Sequence, residues 1–164
     1  MVGETEVSDL SPLQGMRLEY LTLQNTKVTD LSVLRRMPLT WLDVACARGV
    51  SDLSPLKNMP LKYLNLTELP VSDLSLLAEV KSLRDLYLDS LAVTDLTTLR
   101  GLNLHMLSIL NCRVKDLSPL KELPLKRLRL DYRADRAEFL RSLTGLEEIN
   151  GKPVAKFWKE VDGK

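Results

Sequence analysis

The 164-residue sequence is poor in aromatic residues and histidine, and it carries almost no net charge. Aromatic residues make up 5% of the chain, so its core is not an ordinary mixture of aromatic and aliphatic side chains. The net charge of +1 supplies no field for holding a polyanion, which argues against a nucleic-acid partner. No apolar run approaches the roughly 18 residues that a membrane span needs, which argues against a membrane partner.

The scarcity of reactive side chains limits the chemistry that the chain can perform. His105 is the only histidine, so neither a Ser-His-Asp triad nor a histidine-based metal site can be assembled. Two cysteines, Cys46 and Cys112, do not form a disulfide framework in a chain of this length. No glycine-rich phosphate loop is present. The sequence therefore predicts a protein that is not an enzyme and that uses no cofactor or metal.

The N-terminal segment lacks the features of an export signal. Its residues, MVGETEVSDL, contain neither a basic region nor an apolar stretch. This composition favours a cytoplasmic location.

Leucine, by contrast, occupies 37 positions, and most of them recur at a fixed period. A segment of the form V-x-D-L-x-x-L is repeated six times, at spacings of 21 or 22 residues, starting at Val7, Val28, Val50, Val71, Val93 and Val114. Each is followed by an L-x-x-L-x-L segment, in which Val or Ile sometimes takes the last position, starting at Leu18, Leu39, Leu61, Leu83, Leu104 and Leu125. A period of this length is typical of leucine-rich repeats.

The spacing within one repeat predicts its local structure. Alternating leucines point to one face of a short strand, and stacked repeats pair these strands into a parallel sheet. About a dozen residues remain for the return, which is too few for a full helix with its loops, so we expect 3₁₀ turns there. We expect Ser-Pro steps to provide an N-cap followed by proline at the first position of the turn. They stand at Ser11-Pro12, Ser54-Pro55 and Ser118-Pro119.

The two segments together resemble the short bacterial and phosphatase-regulator type of leucine-rich repeat, including the internalin form. The resemblance covers residues 7 to about 133 and implies an α/β solenoid, a right-handed coil with a concave parallel sheet and short convex 3₁₀ turns. The asparagine that usually follows the strand in this family is missing. Its place is taken by Thr26, Ala47, Leu69, Leu91 and Cys112.

We divide the chain into the tail of an incomplete first repeat (1–6), the repeats (7–133) and a C-terminal cap (134–164). In the register of the repeats, Val2 stands at the strand position of Leu23, so the chain opens partway through a repeat. No N-terminal cap is encoded, which makes this edge a candidate for self-association. The cap is predicted to hold a helix over Ala134–Leu143, a turn at Asn150-Gly151 and a helix opened by Pro153.

One aspartate recurs in each repeat, and two interpretations of this series are open. Stacked carboxylates could hold calcium, or each could accept hydrogen bonds from its own turn. The turn role is favoured, because calcium solenoids use several oxygen ligands in each coil. The series consists of Asp9, Asp30, Asp52, Asp73, Asp95 and Asp116.

The strand register also identifies the side chains that point outward on the concave side. All four tyrosines, Tyr132 included, and one tryptophan fall at such positions. Aromatic residues there either anchor a partner or stabilise the sheet through cross-strand pairs. We predict a ligand-binding surface formed by Tyr20, Trp41, Asp43, Tyr63, Asp85, Tyr87, Asp89, Arg127 and Arg129.

Charge is unevenly distributed along this surface. Residues 1–112 carry 10 basic and 13 acidic side chains, whereas residues 113–164 carry 13 and 9. A partner with a basic, apolar segment and an acidic tail would complement this asymmetry. We therefore predict a protein- or peptide-binding module. The alternative is a structural or regulatory repeat segment of a larger bacterial protein, such as a serine/threonine kinase, whose tail repeats look similar.

Overall fold

The computed structural model describes residues 5–163, and within them each repeat forms one coil that contains a 3₁₀ turn and a short strand. The strands β1 to β8 are Tyr20–Thr22, Trp41–Asp43, Tyr63–Asn65, Asp85–Tyr87, Met106–Ile109, Arg127–Leu130, Glu148–Ile149 and Lys152–Pro153. The 3₁₀ turns are Ser11–Leu13, Ser32–Leu34, Ser54–Leu56, Ser75–Glu79, Thr97–Leu99, Ser118–Glu122 and Ala134–Arg136. Two α-helices follow the repeats: α1 is Ala137–Ser142 and α2 is Val154–Asp162.

The strands form one eight-stranded sheet in sequence order. Strands β1 to β7 pair in parallel, and β8 turns back antiparallel to β7. The middle leucines are in register from one strand to the next, as the pairs Leu21 with Leu42 and Leu42 with Leu64 show. The predicted solenoid with a parallel sheet, 3₁₀ turns and a helical end is confirmed.

The core is a set of aliphatic rows that run the length of the solenoid. The row of middle strand leucines has zero exposure at Leu42, Leu64, Leu86, Leu107 and Leu128. Because every coil buries the same few positions, each coil packs mainly on its two neighbours. The first described coil has less packing than the central ones, since Leu21 in β1 is only partly buried.

The position of the missing asparagine is filled by apolar packing and backbone hydrogen bonds. Ala47, Leu69 and Leu91 are buried there, and the backbone N–H of Ala47 donates to the Val44 carbonyl at 3.1 Å. Cys112 is half-buried and its Sγ contacts the Leu88 carbonyl oxygen at 3.1 Å. The residue before each of these positions has φ between 56° and 60°, and these residues are Asn25, Cys46, Glu68, Ser90 and Asn111.

The C-terminal cap differs in detail from its prediction. The first predicted helix is divided into a 3₁₀ turn and α1, and the second begins at Val154, one residue after the predicted proline. Asn150-Gly151 forms the predicted turn, with φ of 52° and 74°. Strand β8, which the sequence did not predict, pairs beside that turn.

Tyr132 belongs to this cap, which corrects its assignment to the outward surface. Its ring makes edge contacts with Phe157 at 5.4 Å and with Trp158 at 6.1 Å between centroids. Arg141 stacks over Trp158 at 3.9 Å and donates to Asp162 at 2.8 Å. Three aromatic rings therefore close the last coil, and Tyr132 takes its role from α2 rather than from the sheet.

The first coil exposes more apolar surface than the others. Val7 is 48% exposed, Met16 47% and Tyr20 68%. Residues 5–7 already run beside the next coil, since the N–H of Lys27 donates to the Val7 carbonyl at 2.8 Å. The strand position predicted for Val2 lies outside the described residues. Self-association through this edge stays a prediction.

Candidate binding surface on the outward sheet face

Three aromatic side chains lie together on the outward sheet face, by which we mean the strand side chains that point away from the core. Trp41 and Tyr63 stack with ring centroids 4.6 Å apart and planes 12° apart. Tyr87 is tilted by 43° against Tyr63 at 5.3 Å. We call Trp41, Tyr63 and Tyr87 the aromatic cluster. All three side chains are half-buried, so part of each ring faces solvent.

The geometry of the cluster determines which part of each ring is available to a partner. Rings on neighbouring strands stack at about the spacing of the strands, so their faces point along the sheet. A ring edge, rather than a stacked face, is therefore the part of the Trp41 and Tyr63 pair that a partner can contact. Such an edge suits hydrogen bonding to peptide carbonyl groups better than face-on stacking with a sugar ring.

Tyr20 extends this surface toward the first strand. It is in register with Trp41 but makes no ring contact with any described residue. Tyr63 therefore stacks on one face of the Trp41 indole, and no ring of residues 5–163 stacks on the face toward β1. The sequence placed Tyr20, Trp41 and Tyr63 in one strip, and the structure brings only the last two into ring contact.

Burial alters the titration of the cluster hydroxyls. Partial burial, with a smaller effect of the Asp43 carboxylate, raises the pKa of Tyr63 to about 12. The pKa of Tyr87 is raised mainly by burial and then by Asp85. Both hydroxyls thus keep their protons well above neutral pH and remain hydrogen-bond donors.

Two of the candidate carboxylates are already engaged within the solenoid. Asp43 is 8% exposed and accepts hydrogen bonds from the Ala45 N–H at 2.9 Å and from the Asn65 amide at 3.3 Å. Asp89 accepts from the Ser108 hydroxyl and from the Leu110 N–H. These two carboxylates therefore fix the backbone just after β2 and β5, beneath the outward side chains.

Asp85 and Arg127 form an ion pair that spans a strand. The Arg127 guanidinium lies 3.2 Å from the Asp85 carboxylate, although strand β5 runs between their strands. The side chain between them, Met106, is in an outward register but only 4% exposed. The pair therefore covers Met106 and connects β4, which carries Tyr87, to the basic residues of β6.

Arg129 is the exposed cation of that basic end. It makes no hydrogen bond or ion pair with any residue of the described range 5–163. It is close enough to Tyr87 to lower that hydroxyl's pKa, although burial of the ring has the larger, opposite effect. Arg129 is thus a charge that a partner can reach.

A row of Asp and Asn side chains at the C-terminal ends of the strands, which accept hydrogen bonds, was not predicted from the sequence. Each of its side-chain oxygens accepts a backbone N–H from its own coil or from a neighbouring coil, as Asn65 does from Thr67 at 3.0 Å. The signal is visible in the sequence as an Asp or Asn at or just beyond the end of most strands. The row comprises Asp43, Asn65, Asp89, Asp131 and Asn150.

The repeated aspartates cap the 3₁₀ turns, as the turn interpretation predicts. Asp52 accepts the Ser54 N–H at 2.8 Å and the Ser54 hydroxyl at 2.9 Å. The N-cap position is Leu53 and the serine is the first residue of the turn, which corrects the prediction that serine would be the N-cap. Within residues 5–163, no group of three or more His, Cys, Asp or Glu is placed to hold a metal ion.

Because of these hydrogen bonds, the stability of the fold depends on pH. They lower the pKa of all six aspartates; the largest cause is the backbone N–H two residues on, except at Asp30, where it is the Ser32 hydroxyl. A lowered folded pKa adds stability above the unfolded value of about 3.9 and loses it as pH falls through the folded value. We expect thermal stability to drop below about pH 4.

The matched variant for this prediction is Asp52→Asn, which keeps an acceptor oxygen and removes the titration. Its stability should fall less steeply with acid than that of the original chain. Carbon NMR of the carboxyl groups measures each pKa directly. Aspartates that titrate at or above about 3.9 would contradict the capping role.

The histidine and the cysteines form no site. His105 is exposed, and both cysteines are free. Burial is the main cause that raises the pKa of the Cys46 and Cys112 thiols, so both stay protonated at neutral pH. Among the described residues, no helix is both long enough and apolar enough to cross a bilayer.

Comparison with known proteins identifies the fold. No protein-family model matches the chain, and no curated protein sequence matches it significantly. An internalin, InlF, from Listeria monocytogenes is 27% identical with a TM-score of 0.73, and the match covers 88% of this chain and 44% of that one. Internalin C2 from the same organism is 23% identical with a TM-score of 0.70, covering 89% and 67% respectively.

The chain thus spans less than half the length of the first of these internalins. The two likenesses cover 88% and 89% of this chain, and both agree with the parallel sheet and regular 3₁₀ turns. The chain is a leucine-rich-repeat protein of the short-repeat type, with a solenoid fold similar to that of bacterial internalins.

Proposed function

We propose that the chain is a non-enzymatic module that binds a protein or peptide through its outward sheet face. The internalin-like repeat fold supports protein binding in general. The observation that carries the choice of face is the aromatic cluster, because its three rings lie outside a core that is filled by aliphatic side chains. Tyrosine and tryptophan are the residues most enriched at the energetic centre of interfaces.

Rigidity favours this surface as a binding platform. The cluster residues stand on neighbouring strands whose leucines are fully buried, so the rings are held in place before a partner arrives. Binding then requires little ordering of the side chains, which improves affinity. The ring edges donate hydrogen bonds to carbonyl groups of the partner, and the ring carbons supply apolar contact.

Charge sets the orientation of the partner on the face. Asp85 lies on β4 with Tyr87 of the aromatic cluster, and Arg129 lies two strands away on β6 with Arg127, which pairs with Asp85. A partner that presents an apolar, basic segment to the cluster and an acidic segment to Arg129 is complementary to this order. The expected ligand is thus an extended protein segment that lies across the strands.

The experiment is a charge reversal of Arg129. A protein captured by this chain is titrated against the original chain and against Arg129→Glu. Arg113→Glu is the control for net charge, since Arg113 is exposed in the irregular segment that follows β5. We expect Arg129→Glu to weaken binding about tenfold at low salt and by less at high salt.

Arg113→Glu should leave affinity unchanged. Equal effects of the two reversals would contradict the proposed orientation. If no captured protein responds to changes on the sheet face, the interpretation as a structural or regulatory segment of a larger protein replaces the proposal.

A further inference from the structure

A second candidate surface lies away from the sheet, where the 3₁₀ turns of two neighbouring coils lead back to β2 and β3. A groove of 540 Å³ runs there between the two coils. Its charged lining consists of Arg35, Arg36 and Lys57, and prolines Pro38 and Pro60 form part of its walls. We call it the basic groove. Three cations and no carboxylate line it.

Two of these cations have no partner in the described part of the chain. Arg36 and Lys57 make no hydrogen bond or ion pair with any of residues 5–163, whereas Arg35 donates to the Ser54 hydroxyl at 3.1 Å. The Asp30 and Asp52 carboxylates are close enough to Arg35 for its charge to add slightly to the lowering of their pKa values. Arg36 and Lys57 are therefore the charges left for a ligand.

The equivalent positions of later coils show that an unpaired cation is not a requirement of the repeat. Arg100 occupies the register of Lys57 and forms an ion pair with Glu122. Lys121 occupies the same register in the next coil and lies over the Phe139 ring at 5.5 Å. Among the cations at this register in the described coils, Arg35, Arg100 and Lys121 each have a side-chain partner, and Lys57 is the one that makes no hydrogen bond, ion pair or ring contact.

The backbone at Arg36 supplies a third observation. Its φ is 67°, in the left-handed region that favours glycine or asparagine. In three other coils the residues at the same register are Gly15, Asn58 and Gly101, with φ of 79°, 61° and 71°, whereas Glu79 and Glu122 end longer 3₁₀ turns in the remaining two. An arginine thus occupies a position where the fold favours a smaller residue, and its long side chain adds charge to the groove.

We propose that the basic groove is a second binding site, which takes an acidic peptide segment. Carboxylate or phosphate groups of the segment pair with Arg36 and Lys57, and its apolar atoms lie against Pro38 and Pro60. A groove with three cations, on a chain with a net charge of only +1, matches a short acidic segment rather than a nucleic acid. This site is independent of the outward sheet face.

The test is amide chemical-shift mapping with the folded chain. Three short peptides of one length are compared: one rich in glutamate, one with phosphoserine at the same positions, and one with glutamine. We expect the first two to shift the amides of residues 35–37, 54 and 57–59, which line the groove together with three prolines that have no amide proton, and the glutamine peptide to shift none. Stronger binding of the phosphoserine peptide identifies phosphate as the preferred group. Equal binding of the two peptides shows that the groove recognises negative charge and does not distinguish phosphate from carboxylate.

Two double variants remove the same charge from different coils. Arg36→Asn with Lys57→Gln should lower the affinity for the acidic peptides about tenfold, and it should fold well because Asn58 already occupies the register of residue 36. Arg100→Gln with Lys121→Gln should leave affinity unchanged. Equal losses in both variants, shifts centred on Arg127 and Arg129, or no shifts at millimolar peptide would overturn the proposal.

Discussion

Replacement of Leu64 by alanine should lower the free energy of unfolding by about 3 kcal/mol, within the 2 to 5 kcal/mol range for buried leucines. Leu64 has zero exposure and stands at the centre of the sheet, in register with Leu42 on one side and Leu86 on the other. A smaller side chain leaves a cavity that touches both neighbouring coils. The rigid backbone of the parallel sheet limits how far these coils can close it.

Chemical denaturation measures this effect, and two variants provide its controls. Lys62→Ala, at an exposed site of the same coil, should change stability by less than about 0.5 kcal/mol. Leu21→Ala lies in the same leucine row but in the partly buried first strand, so its effect should be intermediate. Equal losses at Leu21 and Leu64 would contradict a core whose packing increases from the end coil toward the centre.

Removal of two rings from the aromatic cluster should strongly weaken the binding of a partner. We expect Trp41→Ala with Tyr63→Ala to weaken affinity by at least about 100-fold, because each ring is an anchor of the kind that contributes 2 kcal/mol or more. The same change removes two ring contacts, Trp41 with Tyr63 and Tyr63 with Tyr87, each of which contributes about 1 kcal/mol to the fold. The chain should therefore stay folded while binding is lost.

Two further variants separate the parts of this effect. Phe139→Ala removes a partly buried ring from α1 and should leave affinity unchanged. Tyr63→Phe keeps the ring but removes its hydroxyl, so it should weaken binding by only the few-fold effect of one hydrogen bond. A double alanine variant that binds as tightly as the original chain would show that the cluster only stabilises the sheet.

The repeat itself made most of the fold predictable. Strand register, 3₁₀ turns and the capping role of aspartates such as Asp52 all follow from short-range spacing, which repeats in every coil. The cap was less predictable, because the position of Tyr132 is set by packing against Phe157 and Trp158, 25 residues and more along the chain. Strand β8 contains a proline, which is unfavourable in most strands, so no pattern indicated it.

The candidate surface was predictable in outline only. Register shows which side chains point outward, and it correctly placed the rings of Trp41 and Tyr63 side by side. Register does not show how far a long side chain reaches, and Arg127 reaches across β5 to Asp85 and buries Met106. Nor does it show that Asp43 is held by backbone N–H groups at a strand exit.

The two tryptophans make a direct test of the binding face possible. Trp41 lies in the aromatic cluster and Trp158 lies in the cap, so a chain labelled with fluorotryptophan has one fluorine signal for each region. A Trp158→Phe variant assigns the two signals. Fluorine NMR during titration with a captured partner should then shift or broaden the Trp41 signal and leave the Trp158 signal in place. An unchanged Trp41 signal at saturation, with or without a change at Trp158, would contradict binding through the outward sheet face.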